Sequence, residues 1–294
     1  DKPTVYNGRI GIEYRGSSSQ SFPKKPYSIE LWNNKNEDTT ASILDWPKEG
    51  DYVLFASYNE KSLMHNALTM RIAREMGMYA SRTHYVELFL NGQYEGVYVL
   101  MEKVKRDKGR VDIEKLEPDE NAGTDLTGGY IIKIDKGTGS NYGSWFSAYR
   151  PIGSTTNARI EYFYEYPSKE ITSAQRNYIQ KYVGDFETSL QGSQFTDPLL
   201  GYRNYVDTKS FIRFMLVNEV SRNIDGYRIS TYLHKENDAK GGKLRAGPVW
   251  DFDISYGNAD YCDGKRYDLF AYKFNEVCPA DYWLHSAAVF LLSA

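Results

Sequence analysis

Cysteine is nearly absent. The 294-residue chain has two, Cys262 and Cys278, both near its C-terminal end. That excludes the disulfide-rich small-domain class, and with no CxxC pair no structural zinc site is expected. The two cysteines could still pair with each other in an exported protein. The four histidines, His65, His84, His234 and His285, are scattered and form neither a metal motif nor a Ser-His-Asp arrangement. No apolar run reaches the ~18 residues that a membrane-crossing helix needs; residues 286–294 are apolar but too short. A basic excess is also missing: the net charge is −3, which argues against a nucleic-acid binder. There is no internal repeat, no low-complexity linker and no GxxxxGK[ST] loop. The chain opens on Asp1 with neither methionine nor signal peptide, and reads as a mature form or a cut fragment.

What is present describes an ordinary folded protein with one bias. Hydrophobic residues make up 41% and charged residues 26%, as in soluble globular domains. Aromatics reach 15%, and tyrosines outnumber phenylalanines 26 to 13, a bias common in secreted and carbohydrate-facing proteins. The length suffices for one large domain or for two lobes around a shared core.

Residues 9–14 alternate at period two, residues 16–21 form a small-residue turn, and residues 26–31 alternate again, so a hairpin with a long polar tip is expected. Residues 60–77 carry helical spacing at Leu63, Ala67, Met70 and Ala73, and Gly77 stops the helix. Asn91-Gly92 between two alternating runs is the strongest short hairpin signal. A third strand covers residues 129–134. The second half reads as helical: residues 174–190 place Tyr178, Tyr182 and Phe186 four apart, and residues 208–220 follow a capping Asp207 or Thr208. Two short strand-like runs, 230–234 and 244–250, come after. A β-rich first part followed by a helix-rich second part predicts two lobes with a cleft, divided near residue 150.

Three separated stretches are chemically unusual. Residues 15–25, with Arg15, Gly16, four serines, Lys24 and Lys25, combine small residues that let amides approach an anion with lysines that reach phosphate oxygens; a solvated hairpin tip would look the same. Residues 218–226 place an amide and carboxylates, Asp225 among them, just past a helix end, where Asn and Asp also occur for local backbone reasons. Residues 247–254 place Asp251 and Asp253 two apart in an apolar run. On a strand they would share a face, and two buried carboxylates need a cation such as a divalent metal, unless one caps a turn and the other faces water. Together these parts meet the needs of phosphoryl transfer: phosphate clamps, carboxylate-held metal, and an acid near the attacking hydroxyl.

The runs RGSSSQSFPKKPYSIEL (15–31), ASYNEKSLMHNALTMRIAREMG (56–77), VELFLNGQYEGVYVLMEKVKRDKGRVDI (86–113), GGYIIKID (128–135), FIRFMLVNEVSRNIDGYRISTYLHK (211–235) and GPVWDFDISYGNAD (247–260) resemble, in order, the spore coat protein H (CotH) kinase family. The resemblance implies an α+β, two-lobed atypical protein-kinase-like fold over the whole chain, with an antiparallel β-rich N-lobe (about 1–150) and a helix-rich C-lobe (151–294). It implies ATP with Mg²⁺, or Mn²⁺ in its place, and phosphorylation of exposed Ser/Thr on a coat or surface protein outside the cell. By that analogy Lys25 or Lys24 would bind phosphate, Arg15 and Ser18 would lie in the loop over the phosphates, and Met101 and Glu102 would touch adenine. Asp225 would be the catalytic acid, Asp251 the principal metal ligand, and Asp253 its assistant. Two departures stand out. Ser230 occupies the position where many members carry Asn, and the tail after about residue 283 does not match the family's continuation, as if truncated or altered. Two other readings compete: a pseudokinase or coat-binding module that keeps the fold without turnover, and a glycoside-acting enzyme using Asp225 and Asp251.

Overall fold

Period-two alternation carries the first hairpin. Strands β1 (Arg9–Tyr14) and β2 (Tyr27–Trp32) pair antiparallel from Arg9↔Trp32 to Tyr14↔Tyr27, with the small-residue segment as their connection. The structure, a computed structural model, describes residues 5–137, 142–150 and 159–278. β3 (Asp51–Phe55) follows, then helix α1 (His65–Glu75), then the hairpin β4 (Thr83–Leu90) and β5 (Gln93–Glu102). Asn91 and Gly92 both adopt positive φ, 52° and 80°, as a type I′ hairpin turn demands. These strands form one antiparallel sheet in the order β1-β2-β3-β5-β4.

The second sheet has the order β10-β9-β6-β8-β7 and is also antiparallel. Its members are β6 (Tyr130–Ile134), β7 (Ser144–Phe146), β8 (Glu161–Tyr166), β9 (Thr231–Lys235) and β10 (Leu244–Ala246). Helices α2 (Ser173–Gln191) and α3 (Thr208–Ser221) pack beside it. A capping box between Thr172 and Gln175 starts α2, and the Asp207 carboxylate accepts the Ser210 amide to start α3.

One continuous core joins the two sheets. Val53, Val99 and Met101 from the first sheet meet Met70 and Ala73 of α1, Ile132 of β6, Phe186 of α2 and Phe211 of α3. The other face of the first sheet is buried as well, by Tyr27, Leu54 and Tyr98. Burial on both faces gives β3 a solid apolar run without alternation.

The mixed α+β class is as expected, but the strands are not divided at residue 150. β6 and β7 precede that point and join β8, β9 and β10 beyond it in one five-stranded sheet. The expected change after about residue 283 lies outside the described residues. Cys262 and Cys278 are disulfide-bonded.

Phe211 is fully buried and meets the Phe186 ring edge-on at 5.9 Å. Phe211→Ala is expected to lower stability by about 3–5 kcal/mol, read from urea unfolding followed by tryptophan fluorescence.

Candidate active-site cleft

A cleft of about 1250 Å³ opens between the β1–β2 connection and the ends of α3, β6 and β9. Its lining contains Arg15 and Ser18 from one side, and Asp225, Ser230, Asp251 and Asp253 from the other. Asp135, Lys133, Lys136, Arg228 and Trp250 also line the wall.

The β1–β2 connection is built by local bonds. Gly16 sits at φ +90°, and a Cβ there would lie 2.0 Å from the Ser19 hydroxyl, so only glycine fits. The Gln20 amide donates to the Gly16 carbonyl at 2.6 Å, and the Ser21 hydroxyl to the Ser18 carbonyl at 2.7 Å. The Arg15 guanidinium lies 5.4 Å from the centre of the Trp250 ring, linking this loop to the Asp251 segment.

Asp225 is placed by the way α3 ends. Arg222 takes a left-handed conformation, and the Asn223 amide then donates to the Asn218 carbonyl at 3.0 Å. The Asn223 side chain bridges the loop, donating to Asn218 Oδ1 at 3.1 Å and accepting the Asp225 amide at 3.2 Å. Gly226 passes so close that an added Cβ would meet Asn218 Oδ1 at 2.5 Å. Below, the half-buried Glu219 carboxylate accepts the Tyr227 hydroxyl at 2.7 Å and the Ala271 and Tyr272 amides at 2.6 and 3.1 Å. The Asp225 carboxylate itself receives Arg228 Nη2 at 2.6 Å.

Asp251 and Asp253 reach the cleft without a strand. β10 stops at Ala246, Asp251 has φ +63°, and a turn follows. The expectation of a strand over 244–250 with its two acids on one face is therefore corrected: a strained turn, not the pleat, delivers them. Its supports come from the segment ahead of and within α1. Asn66 Oδ1 accepts the Phe252 amide at 2.8 Å, and Asn59 donates to Asp253 Oδ2 at 2.7 Å. Asn258 donates to the carbonyls of Asn59 and Asp253, and His65 Nδ1 lies 3.0 Å from the latter. The Ser230 hydroxyl donates to Asp251 Oδ2 at 3.4 Å.

Electrostatically the cleft is crowded with acids. Burial, followed by the charges of Asp253, Asp225 and Asp135, pushes the Asp251 carboxyl well above the usual range, against the pull of Arg15. Burial likewise raises Asp225, Asp253 and Asp135, opposed chiefly by Arg228, Asn59 and Lys133 in turn. Lys133 is held by Glu165 of the neighbouring strand at 3.0 Å.

Lys24, Lys25, Met101 and Glu102 are not among the lining residues. Lys24 donates to the Val97 carbonyl and lies 4.4 Å over the Tyr98 ring. Lys25 donates to the Gln20 carbonyl at 2.7 Å and so braces the loop from behind. Met101 is part of the shared core. Glu102 is buried in an ion pair with Arg82 at 2.7 Å. Sequence reasoning passed over Asp135, Lys133, Lys136 and Arg228. Three of them sit at or beside the end of β6, where charged residues read as ordinary strand-end polarity.

A loop of small residues thus faces a set of carboxylates across one cleft, with lysine and arginine between them. The family model described as CotH kinase protein matches residues 12–285, and the chain belongs to that family. It is similar to the inner spore coat protein H of Bacillus subtilis (strain 168), at 25% identity over 248 residues. That match covers 84% of this chain and 59% of the relative's length.

A carboxylate whose pKa is raised by folding costs stability wherever it is ionised, and the cost fades as pH falls through the raised value. Asp251→Asn is therefore expected to raise the melting temperature of the ligand-free protein at pH 7. The gain should shrink as the pH is lowered, as differential scanning fluorimetry across pH would show.

Proposed function

We propose that this chain is an ATP-dependent protein kinase that transfers the terminal phosphoryl group to a serine or threonine hydroxyl of another protein. The observation that carries this reading is the convergence of Asp225, Asp251 and the Arg15–Gln20 loop on one cleft, from segments more than a hundred residues apart in places. The family description and the resemblance to a spore coat protein support it, and extend it to a coat or surface protein as substrate and to the spore coat or cell exterior as location. The cleft exceeds the ~300–1,000 Å³ of ordinary ligand pockets, which leaves room for a nucleotide and part of a peptide. The two-lobed kinase architecture belongs to this proposal.

In the reaction, the substrate hydroxyl oxygen forms a bond to the γ-phosphorus. The bond from that phosphorus to the β–γ bridging oxygen breaks, and its electron pair leaves with ADP. Asp225 receives the hydroxyl proton. Arg15, Lys133 and Lys136 are the cations positioned to meet phosphate oxygens. Lys133, steadied by Glu165, repeats the lysine–glutamate pairing that kinase clefts require.

The donor set fits Mg²⁺ or Mn²⁺. Among the described residues no group of three or more His, Cys, Asp or Glu is placed to hold an ion alone. Mg²⁺ characteristically takes one or two carboxylates and fills its shell with phosphate oxygens and water, and Asp251 with Asp253 would supply the protein's share. Such an ion would neutralise phosphate charge. Ser230 beside Asp251 keeps a second reading in play, a pseudokinase that binds nucleotide without turnover.

The test is transfer of radiolabel from γ-labelled ATP with Mg²⁺ or Mn²⁺ to the chain itself and to a serine-rich peptide. Asp225→Asn and Asp251→Asn are each expected to reduce the rate by about 10²–10⁴-fold. Equal rates in wild type and both variants would refute the kinase reading. Nucleotide binding with no transfer would favour the pseudokinase. Because burial raises the Asp225 carboxyl and a base must be ionised to act, the wild-type rate is expected to fall as pH drops, beginning above the ordinary aspartate range.

A further inference from the structure

Strand β1 is an edge of the first sheet, and its outward side can be read from the ladder. The Arg15 amide donates to the Pro26 carbonyl at 3.1 Å, and the Leu31 amide donates away from β1, to Gly50, at 2.9 Å. Hydrogen-bonded and non-bonded pairs alternate along an antiparallel ladder. Arg9, Gly11 and Glu13 therefore bond to β2, while the amides and carbonyls of Ile10, Ile12 and Tyr14 point outward. No strand or bridge among the described residues meets them. The other sheet edges are blunted: β4 has a bulge at Leu88–Phe89, and β7 and β10 run for 3 residues each. β1 runs for 6 residues in unbroken register, without proline or lysine. Ile10 and Ile12 are 41% and 39% exposed on one face. Arg9 and Glu13 lie exposed on the other, each without an ion-pair partner among the described residues. Between them Gly11 admits no side chain, because a Cβ there would meet the Trp32 ring at 2.6 Å.

We propose that β1 is a self-association surface, pairing antiparallel with β1 of a second copy of this chain about a two-fold axis at Gly11. That axis sets Ile10 opposite Ile12 of the second copy and Arg9 opposite its Glu13, and the symmetry of such an interface makes each pair twice. The apolar contacts fall on one face and the two ion pairs on the other, with no side chain at the crossing between them. Other registers lose this match. An axis at Ile12 sets Arg9 opposite Arg15, one at Glu13 sets two glutamates face to face, and one at Ile10 sets Arg9 opposite Gly11. An extended segment of another protein would satisfy the same backbone groups, but nothing in β1 selects it, whereas β1 is complementary to itself on both faces. The pairing joins two five-stranded sheets into one. Because Glu13 and Tyr14 line the cleft, it also sets the second copy beside each cleft mouth. It stands whether or not the chain is a kinase.

Analytical ultracentrifugation of the full chain over a concentration series reads the dimer directly. One strand pair is a small interface, so the wild type is expected to form a weak dimer that builds up with concentration. Arg9→Glu and Glu13→Arg, each alone, set like charges opposite each other at both contacts, and each is expected to weaken dimerisation by about tenfold or more. The double variant Arg9→Glu with Glu13→Arg restores opposite charges and is expected to dimerise as the wild type does. An equimolar mixture of the two single variants is expected to form a mixed dimer, since one copy supplies only acids and the other only arginines. Thermal unfolding of each variant is the folding control; both positions are exposed, so the melting temperature is expected to hold. A chain that stays monomeric at every concentration would overturn the proposal and leave the β1 edge to a segment of another protein. A dimer that survives both single swaps, or that the double variant does not restore, would overturn it by placing the contact elsewhere.

Discussion

The partial withdrawal from water of a cluster of carboxylates is the constraint on which the rest of this structure depends. Asp225, Asp251, Asp253 and Asp135 face one cleft, and burial raises all four. Like charges withdrawn from water are stable together only if something neutralises them or if the scaffold is strong enough to hold them regardless. Arg15, Lys133, Lys136 and Arg228 are interleaved with the acids, and Arg15 opposes the rise at Asp251 without cancelling it.

The scaffold answers with amides. Asn59 and Asn66 hold the Asp251–Asp253 turn from the α1 side, and Asn218 with Asn223 hold the Asp225 turn from the end of α3. Asparagine suits the task because it donates and accepts without adding charge to a place already crowded with it. α1 and α3 are themselves seated in the core shared by both sheets. The positions of the two principal acids are therefore referenced to one packed body, although they come from turns with positive φ at Asp251, Tyr227 and Ser230 whose strain only that packing can sustain.

Much of this was legible in the residues, and what was not has identifiable causes. The Asn91-Gly92 hairpin, the small-residue connection after β1, and helices α2 and α3 followed from turn chemistry and periodicity to within a few residues. β3 was missed because burial on both faces removes alternation, and β8 for the same reason, since Tyr162, Phe163 and Tyr164 are buried in succession. The division into lobes misplaced β6, since the pairing of β6 with β9 is a long-range choice that no local pattern announces. The acids of the cleft were visible as motifs, yet their delivery was misjudged: the spacing of two from Asp251 to Asp253 suggested a pleat where the backbone turns. Lys24 and Lys25 looked like phosphate ligands because they follow the loop. They face away, while Lys133 and Lys136, which carry no motif of their own, face in.

The two sides of the cleft are not held with equal strength. The carboxylate side is tied through α1 and α3 to the core. The loop side touches the carboxylate side through the Arg15–Trp250 contact at 5.4 Å; its bonds from Gln20, Ser21 and Lys25 close within its own hairpin, and Lys24 and Phe22 tie it to Val97 and Tyr58. A cation–π contact at a partly exposed site is worth roughly 0.5–2 kcal/mol, whereas displacing a buried aromatic such as Phe211 costs several. The loop is therefore the more weakly tethered wall of the cleft, while Asp225 and Asp251 stand on the wall that asparagine bonds tie to α1 and α3 and, through those helices, to the shared core.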